Sequence, residues 1–259
     1  MRSEPGGVVE DRLLGGKLIL RQPARGHRAG TDAVLLAAAA PAEFAGDAVD
    51  LGAATGAVGL ALALRAPSAR VRLAEIDPAL AALAAENAAL NGLGDRVRAC
   101  VADALAGRAA REAAGLPDGS ADLVLTNPPY LDPAASRASP HGGRALAHVM
   151  PEGGLDGWMA AAAGLLRPRG VLLVIHRADA LPALLAAAAG RFGALAALPV
   201  HPRDGEPATR VLLRGVRGSR APFSLAAGLV LHGPDGAFTL QAEALHRGEA
   251  VLDWGAPRA

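Results

Sequence analysis

From Asp47 onward the chain alternates short runs rich in β-branched residues and Leu with longer Ala/Leu segments of helical length. The runs predict strands at Ala48–Leu51, Val71–Ile76, Val97–Val101, Leu123–Thr126 and Val171–Ile175, and the longer segments predict helices near Ala57–Arg65, Pro78–Asn91, Leu105–Ala114, Leu155–Leu166 and Leu181–Arg191. Short strands alternating with helices in this order belong to an α/β fold with a central, mostly parallel sheet and helices on both faces. Asp77-Pro78 marks a helix start, since Asp accepts the free N–H groups of the first turn and Pro suits the first helical position; Asn91-Gly92 marks the stop.

The two ends break this rhythm. Leu13 to Leu20 reads as a short hairpin, followed by a helix over Ala33–Ala40 that Thr31 or Asp32 would cap, so residues 1–45 are expected to form an extension packed on a domain spanning 46–259. The last sixty residues read as strands and turns. Arg210–Leu213 is a strand, Arg214–Arg220 a basic turn, Gly228–Leu231 a strand, Gly233–Gly236 a turn and Ala237–Leu240 a closing strand.

Composition narrows the function more by exclusion than by direction. A formal net charge of +1 gives no strong footprint for a nucleic-acid partner, and with Lys17 the only lysine, the many arginines reflect an Ala/Arg-rich composition more than a phosphate site. Cys100 is the only cysteine, which removes an intrachain disulfide and a Cys-based zinc site and fits a reducing, cytoplasmic setting with no metal. Met1 to Glu10 lacks the pattern of a secretory signal, and the Ala-rich stretches are too short or interrupted to span a bilayer, so no membrane partner is expected.

Candidate chemistry collects at the carboxyl ends of the predicted strands, the edge where open α/β sheets bind ligands. The first strand and its turn read Asp50-Leu51-Gly52-Ala53-Ala54-Thr55-Gly56-Ala57, small residues that let a ligand approach the backbone at a helix start, although an Ala/Gly-rich chain makes such turns by composition alone. Glu75 ends the second strand beside Ile76, where a carboxylate can accept both hydroxyls of a ribose; Asp77 is assigned to helix capping. The third strand ends in Asp103-Ala104, where the acid can accept from an adenine amino group.

The sharpest signal is Asn127-Pro128-Pro129-Tyr130, directly after an apolar strand. The Asn oxygen can accept a hydrogen bond from an exocyclic NH₂, the prolines fix φ and leave carbonyls to accept the other proton, and Tyr130 can stack on a flat substrate. Such a site aims a nitrogen lone pair at an electrophilic methyl and works by positioning, without a nucleophilic side chain. The Pro-, Ser-, Gly- and His-rich segment 131–150 reads as a loop over the site. His141 and His148 are either substrate contacts or exposed loop residues, and His176 is read as packed or solvated.

These motifs resemble the class I, Rossmann-like methyltransferases with an Asn-Pro-Pro-Tyr motif. Over nearly its whole length the chain is similar to the family of tRNA adenine-N6 methyltransferases that act beside the anticodon of tRNA(Val). The similarity includes Leu14-Gly15-Gly16, Gln22, Gly26, the block Arg28 to Ala37 and Pro202 to Val211. The resemblance implies S-adenosylmethionine as cofactor, an RNA substrate, and a cofactor site drawn from Thr31, Asp32, Asp50, Gly52, Ala53, Gly56, Glu75, Ile76, Asp103, Ala104 and Asn127. Asn127 and Tyr130 would also face the substrate. One departure stands out: the family turn has Gly where this chain has Ala54, a residue that resists positive φ. The same Asn-Pro-Pro-Tyr motif also serves enzymes that methylate a protein glutamine amide or guanine N2, and a non-catalytic RNA-binding relative is a further alternative.

Overall fold

The computed structural model describes residues 7–25, 28–129 and 154–255. Two antiparallel strands, β1 (Val8–Leu13) and β2 (Leu18–Pro23), form the expected hairpin, closed by a short 3-10 turn over Leu14–Gly16. Helix α1 (Thr31–Ala38) follows; its cap is Gly30, which has no side chain, so neither Thr31 nor Asp32 caps it as expected. The alternation then runs β3 (Gly46–Leu51), α2 (Ala57–Arg65), β4 (Ala69–Glu75), α3 (Pro78–Leu90), β5 (Val97–Val101), α4 (Arg108–Ala113) and β6 (Ala121–Thr126). After the gap come α5 (Gly154–Leu165), β7 (Leu166–Arg177), α6 (Leu181–Ala188), β8 (Phe192–Arg203), β9 (Arg210–Arg217), β10 (Ser224–Leu225), β11 (Leu229–His232) and α7 (Leu240–His246).

Among the described residues the main sheet has the order β10-β8-β9-β7-β6-β3-β4-β5, with β11 also paired to β8. Strands β3 to β7 run parallel, and β9 is antiparallel to both β7 and β8. The chain moves outward from β3 through β4 to β5 and then jumps back to β6 on the other side of β3. The crevice outside the carboxyl ends of β3 and β6 is therefore the topological switch point, where such sheets bind ligands.

Two apolar layers cover the sheet. One joins α1, α2 and α3 with the hairpin residues Leu14, Leu18 and Leu20, and the other packs Leu116, Trp158, Met159, Leu165 and Leu184 against the opposite face. Helix α2 lies so close to the sheet that a Cβ at Gly59 would fall 2.3 Å from Leu73 Cδ2, which makes glycine obligatory there. The hairpin is fastened by side chains of α3 and its C-terminal residue: Asn87 accepts from the Arg21 amide and donates to its carbonyl, and Asn91 does the same with Ile19. This fixes the extension against the core at 2.7–2.9 Å distances.

Several sequence expectations require correction. The basic turn at Arg214–Arg220 begins late, because β9 continues to Arg217 and pairs on both sides. Ala237–Leu240 is not a strand: Phe238 forms one bridge to His232, and Leu240 opens α7, with Thr239 Oγ1 accepting from the Ala242 amide. The helix expected over Leu105–Ala114 starts only at Arg108, since Asp103 turns the chain by accepting from the Leu105 amide. The twelve-residue β8, absent from the sequence reading, occupies Phe192–Arg203.

Candidate active site

At the switch point the turn after β3 folds back on β4. The amides of Gly52 and Ala53 both donate to Ala74 O at 2.9 Å, and the Ala54 amide donates to Glu75 Oε2 at 2.7 Å. Glu75 Oε1 accepts from the Asp77 amide at 2.9 Å. The Glu75 carboxylate, only 8% exposed, is thus held by two backbone donors and aimed along the edge. The turn has the geometry its small residues suggest, but its amides are committed to Ala74 and Glu75 rather than forming an open nest.

Ala54 adopts φ +48, between Gly52 at +78 and Gly56 at +87. The left-handed conformation expected for the family's glycine is kept here by an alanine, at a strain of about 1–2 kcal/mol. The bond to Glu75 helps hold it there.

Below the turn lies Asp50, buried, with Oδ2 accepting from the Gly59 amide at 2.9 Å. Burial pushes its carboxyl up to about 7, with the neighbouring Glu75 charge adding to the rise and the Gly59 amide opposing it. Next to Glu75, Ile76 is 57% exposed, an apolar ledge on an acidic rim. Asp103, exposed at the end of β5, and the buried Ala104 complete this side. Asp77 caps α3 by accepting from the Ala79 and Leu80 amides, as expected.

On the other side of the switch point, β6 ends at Thr126 and releases Asn127, Pro128 and Pro129; because Thr126 pairs with Leu51 in register, Asn127 leaves the sheet next to Gly52. His176, near the end of the adjacent β7, is buried and faces the Pro129 carbonyl. Burial lowers its pKa and outweighs the Pro129 carbonyl, so the ring is neutral at pH 7. Tyr130, His141 and His148 lie outside the described residues.

Thr31 and Asp32 stand further along the same edge. Asp32 pairs with Arg210 Nε at 3.0 Å, and Arg210 is opposite Arg177 at the carboxyl end of β7; Thr31 Oγ1 lies 3.3 Å from His246 Nε2. The sheet thus brings Asp50, Gly52, Ala53, Gly56, Glu75, Ile76, Asp103, Ala104 and Asn127 to the ends of four neighbouring strands, with Thr31 and Asp32 tied to the C-terminal region at the flank. Among the described residues no group of three or more His, Cys, Asp or Glu is placed to hold a metal ion, and no helix is long and apolar enough to cross a membrane.

One residue packed against the site had no local sequence signal. Trp158, from α5, donates through Nε1 to Thr126 Oγ1 at 2.7 Å, and its ring edge lies against Gly52, where a Cβ would come within 3.1 Å of it. Nothing in the sequence around Trp158 marks it as part of the site.

The family model described as methyltransferase small domain matches residues 28–197. The tRNA1(Val) (adenine(37)-N6)-methyltransferase of Aeromonas hydrophila is 34% identical over 216 residues, 82% of this chain and 85% of the relative. The release factor glutamine methyltransferase of Moorella thermoacetica is 39% identical over 129 residues, covering 48% of this chain and 43% of its own. A crystal structure from Agrobacterium tumefaciens, described as a predicted O-methyltransferase, superposes with a TM-score of 0.73 at 32% identity, covering 85% of this chain and 98% of that one. The chain therefore belongs to the methyltransferase small domain family and is a methyltransferase.

Proposed function

We propose that the enzyme transfers the methyl group of S-adenosylmethionine to a planar exocyclic nitrogen, adenine N6 of a tRNA. The observation that carries the reading is the placement of Asn127 beside Gly52, with the acids of β3, β4 and β5 on the other side of the switch point.

The residues fit the cofactor by chemistry. Glu75, anchored by two amides, keeps lone pairs for a ribose diol; Ile76 offers its exposed side chain to the face of an adenine; Asp103 offers an acceptor to an amino group. The Glu75 carboxylate, beside the buried Asp50, is in none of the ion pairs among the described residues, which favours a ligand carrying positive charge. Once bound, the cofactor supplies an electrophilic methyl on a sulfonium. Gly52 and Ala53 shape the floor, with Gly56 and Ala104 behind them, and Thr31 and Asp32 close the flank.

On the substrate side, the Asn127 side-chain oxygen accepts one hydrogen of the target NH₂. A carbonyl of the Pro128-Pro129 turn accepts the second hydrogen, and the two bonds turn the nitrogen lone pair toward the methyl. Tyr130 stacks on the base. A neutral target nitrogen needs no general base before attack, which agrees with a site that relies on acceptors.

A glutamine amide has the same planar NH₂, and the relationship to the Moorella thermoacetica enzyme keeps this second reading open. Adenine is favoured by the Aeromonas hydrophila relative, whose match extends over 82% of the chain against 48%. Labelled cofactor incubated separately with total RNA and total protein, followed by nucleoside and amino-acid analysis, tests the choice. Label in N6-methyladenosine supports the reading, and label in glutamine alone refutes it.

A further inference from the structure

The two halves of the site are carried by separate strands, and their spacing depends on how β3 and β6 are joined at their ends. Backbone pairing stops at Leu51 and Thr126. Pro128 and Pro129, two and three residues on, have no N–H to donate. Side chains tie the two strand ends together: Trp158 Nε1–H donates to Thr126 Oγ1 at 2.7 Å, and the Thr126 hydroxyl donates to Leu51 O at 2.7 Å.

The direction of this relay is fixed by chemistry. An indole N–H only donates and a carbonyl oxygen only accepts, so the hydroxyl between them must accept from one and donate to the other. Thr126 and Trp158 are both buried, where an unpaired donor or acceptor carries its full desolvation penalty. The relay therefore holds one geometry. Its members touch both halves of the site: Leu51 precedes Gly52, Thr126 precedes Asn127, and the Trp158 ring bears on Gly52 itself.

We propose that the Trp158–Thr126–Leu51 relay positions the acceptor half of the site against the cofactor half, setting the distance between Asn127 and the Gly52 turn. This inference rests on the reading of the edge as the methyl-transfer site. Trp158 and Thr126 touch no reactant in this account; they act through Leu51, Gly52 and Asn127. Because each half keeps its own contacts, loosening the relay lowers kcat while leaving both KM values nearly intact, and a misplacement of about 1 Å can cost on the order of 100-fold in rate.

The test uses Trp158→Phe, which keeps a ring against Gly52 but has no donor, with Thr126→Val, which has no hydroxyl, and Thr126→Ser, which restores both bonds. Steady-state methyl transfer is measured alongside amide hydrogen exchange of the cofactor-free protein at Gly52, Ala53 and Asn127. The expected result is a 10- to 100-fold loss of kcat in Trp158→Phe with less than threefold change in either KM, near-normal kcat in Thr126→Ser, and faster exchange confined to those amides. Should Thr126→Val fail to fold, Trp158→Phe and Thr126→Ser still decide. Wild-type kcat in Trp158→Phe, or a loss expressed in KM alone, overturns the proposal. If the wild-type protein methylates no acceptor, the functional reading fails instead, and the relay is then judged by exchange alone: unchanged protection in Trp158→Phe refutes it, and local loss upholds it.

Discussion

The two ends of the same strands treat charge in opposite ways. At the amino ends of β3, β4, β6 and β7, Asp47 pairs with Arg70 and with Arg167, each at 3.0 Å, and Arg167 also pairs with Asp122. The Asp47 amide donates to Asp122 as well, so two acids and two arginines close into a neutral network. Arg70 and Arg167 hold the Asp47 carboxyl below its ordinary range; for Asp122, burial pushes upward, but Arg167 and the Asp47 amide prevail. At the carboxyl ends of β3, β4 and β5, by contrast, none of the ion pairs among the described residues involves Asp50, Glu75 or Asp103. Backbone amides hold these acids instead. An arginine consumes a carboxylate's charge, whereas an amide orients the carboxylate and leaves its charge to act on a ligand. If the carboxyl edge is the binding edge proposed above, substitutions at the two ends should separate stability from binding.

The largest separation is expected at Asn127. Asn127→Ala should reduce kcat by roughly 10²–10³ through loss of the acceptor for the attacking nitrogen, while cofactor affinity and thermal midpoint stay close to wild type. A parallel fall in thermal midpoint would move Asn127 from the reaction to the fold.

Asp50 should come next, with an effect that depends on pH. Its folded pKa, near 7, lies above the unfolded value of 3.8, so its protonated form favours the native state. The stability it contributes is present below about pH 4 and is lost as pH rises through 7. A three-unit shift corresponds to at most roughly 4 kcal/mol. Asp50→Asn keeps an oxygen for the Gly59 amide and removes the titration, so the variant should gain stability relative to wild type between pH 5 and pH 8 in denaturant melts. Parallel stability profiles would show that Asp50 does not titrate there.

At the amino edge, Arg167→Ala should lower the thermal midpoint slightly, since its guanidinium is exposed and such pairs are weak singly but add in a network. Activity should be untouched, and a selective loss of cofactor binding would erase the distinction between the edges. The smallest effect belongs to Ala54→Gly. Relief of the strain at φ +48 is opposed by the greater entropy of an unfolded glycine, leaving a net change of a few tenths of a kcal/mol and slightly tighter cofactor binding. A marked loss of affinity would mean that the alanine methyl group itself contacts the cofactor.

The central α/β alternation was legible because its strands read as short runs rich in Val and Leu between segments of helical length, as at the buried Leu123–Thr126. The acids of the site could be placed from the same runs, since Asp50 and Glu75 fall in the last two residues of β3 and β4 and Asp103 lies just after β5. Strand β8 escaped notice because Phe192–Arg203 is rich in Ala and carries Pro199 and Pro202, which argue against a strand; its pairing with β9, β10 and β11 overrides that local preference. The start of α7 was readable from Thr239 as a cap, but the apolar Leu240 after a Gly-rich turn gave the stronger strand signal. Trp158 bonds Thr126, and His176 faces the Pro129 carbonyl, from distant elements, and such contacts leave no trace in local periodicity.

The measurement that bears most directly on the contrast between the edges is calorimetric titration of S-adenosylhomocysteine into wild type and Glu75→Gln, with Arg167→Ala as the reference from the other edge. Glutamine keeps one acceptor oxygen but loses the charge, leaving one backbone or ligand donor without its partner. The account predicts a 10- to 100-fold weaker affinity for Glu75→Gln, roughly 1–3 kcal/mol, and an unchanged affinity for Arg167→Ala. Equal affinity in wild type and Glu75→Gln would contradict it.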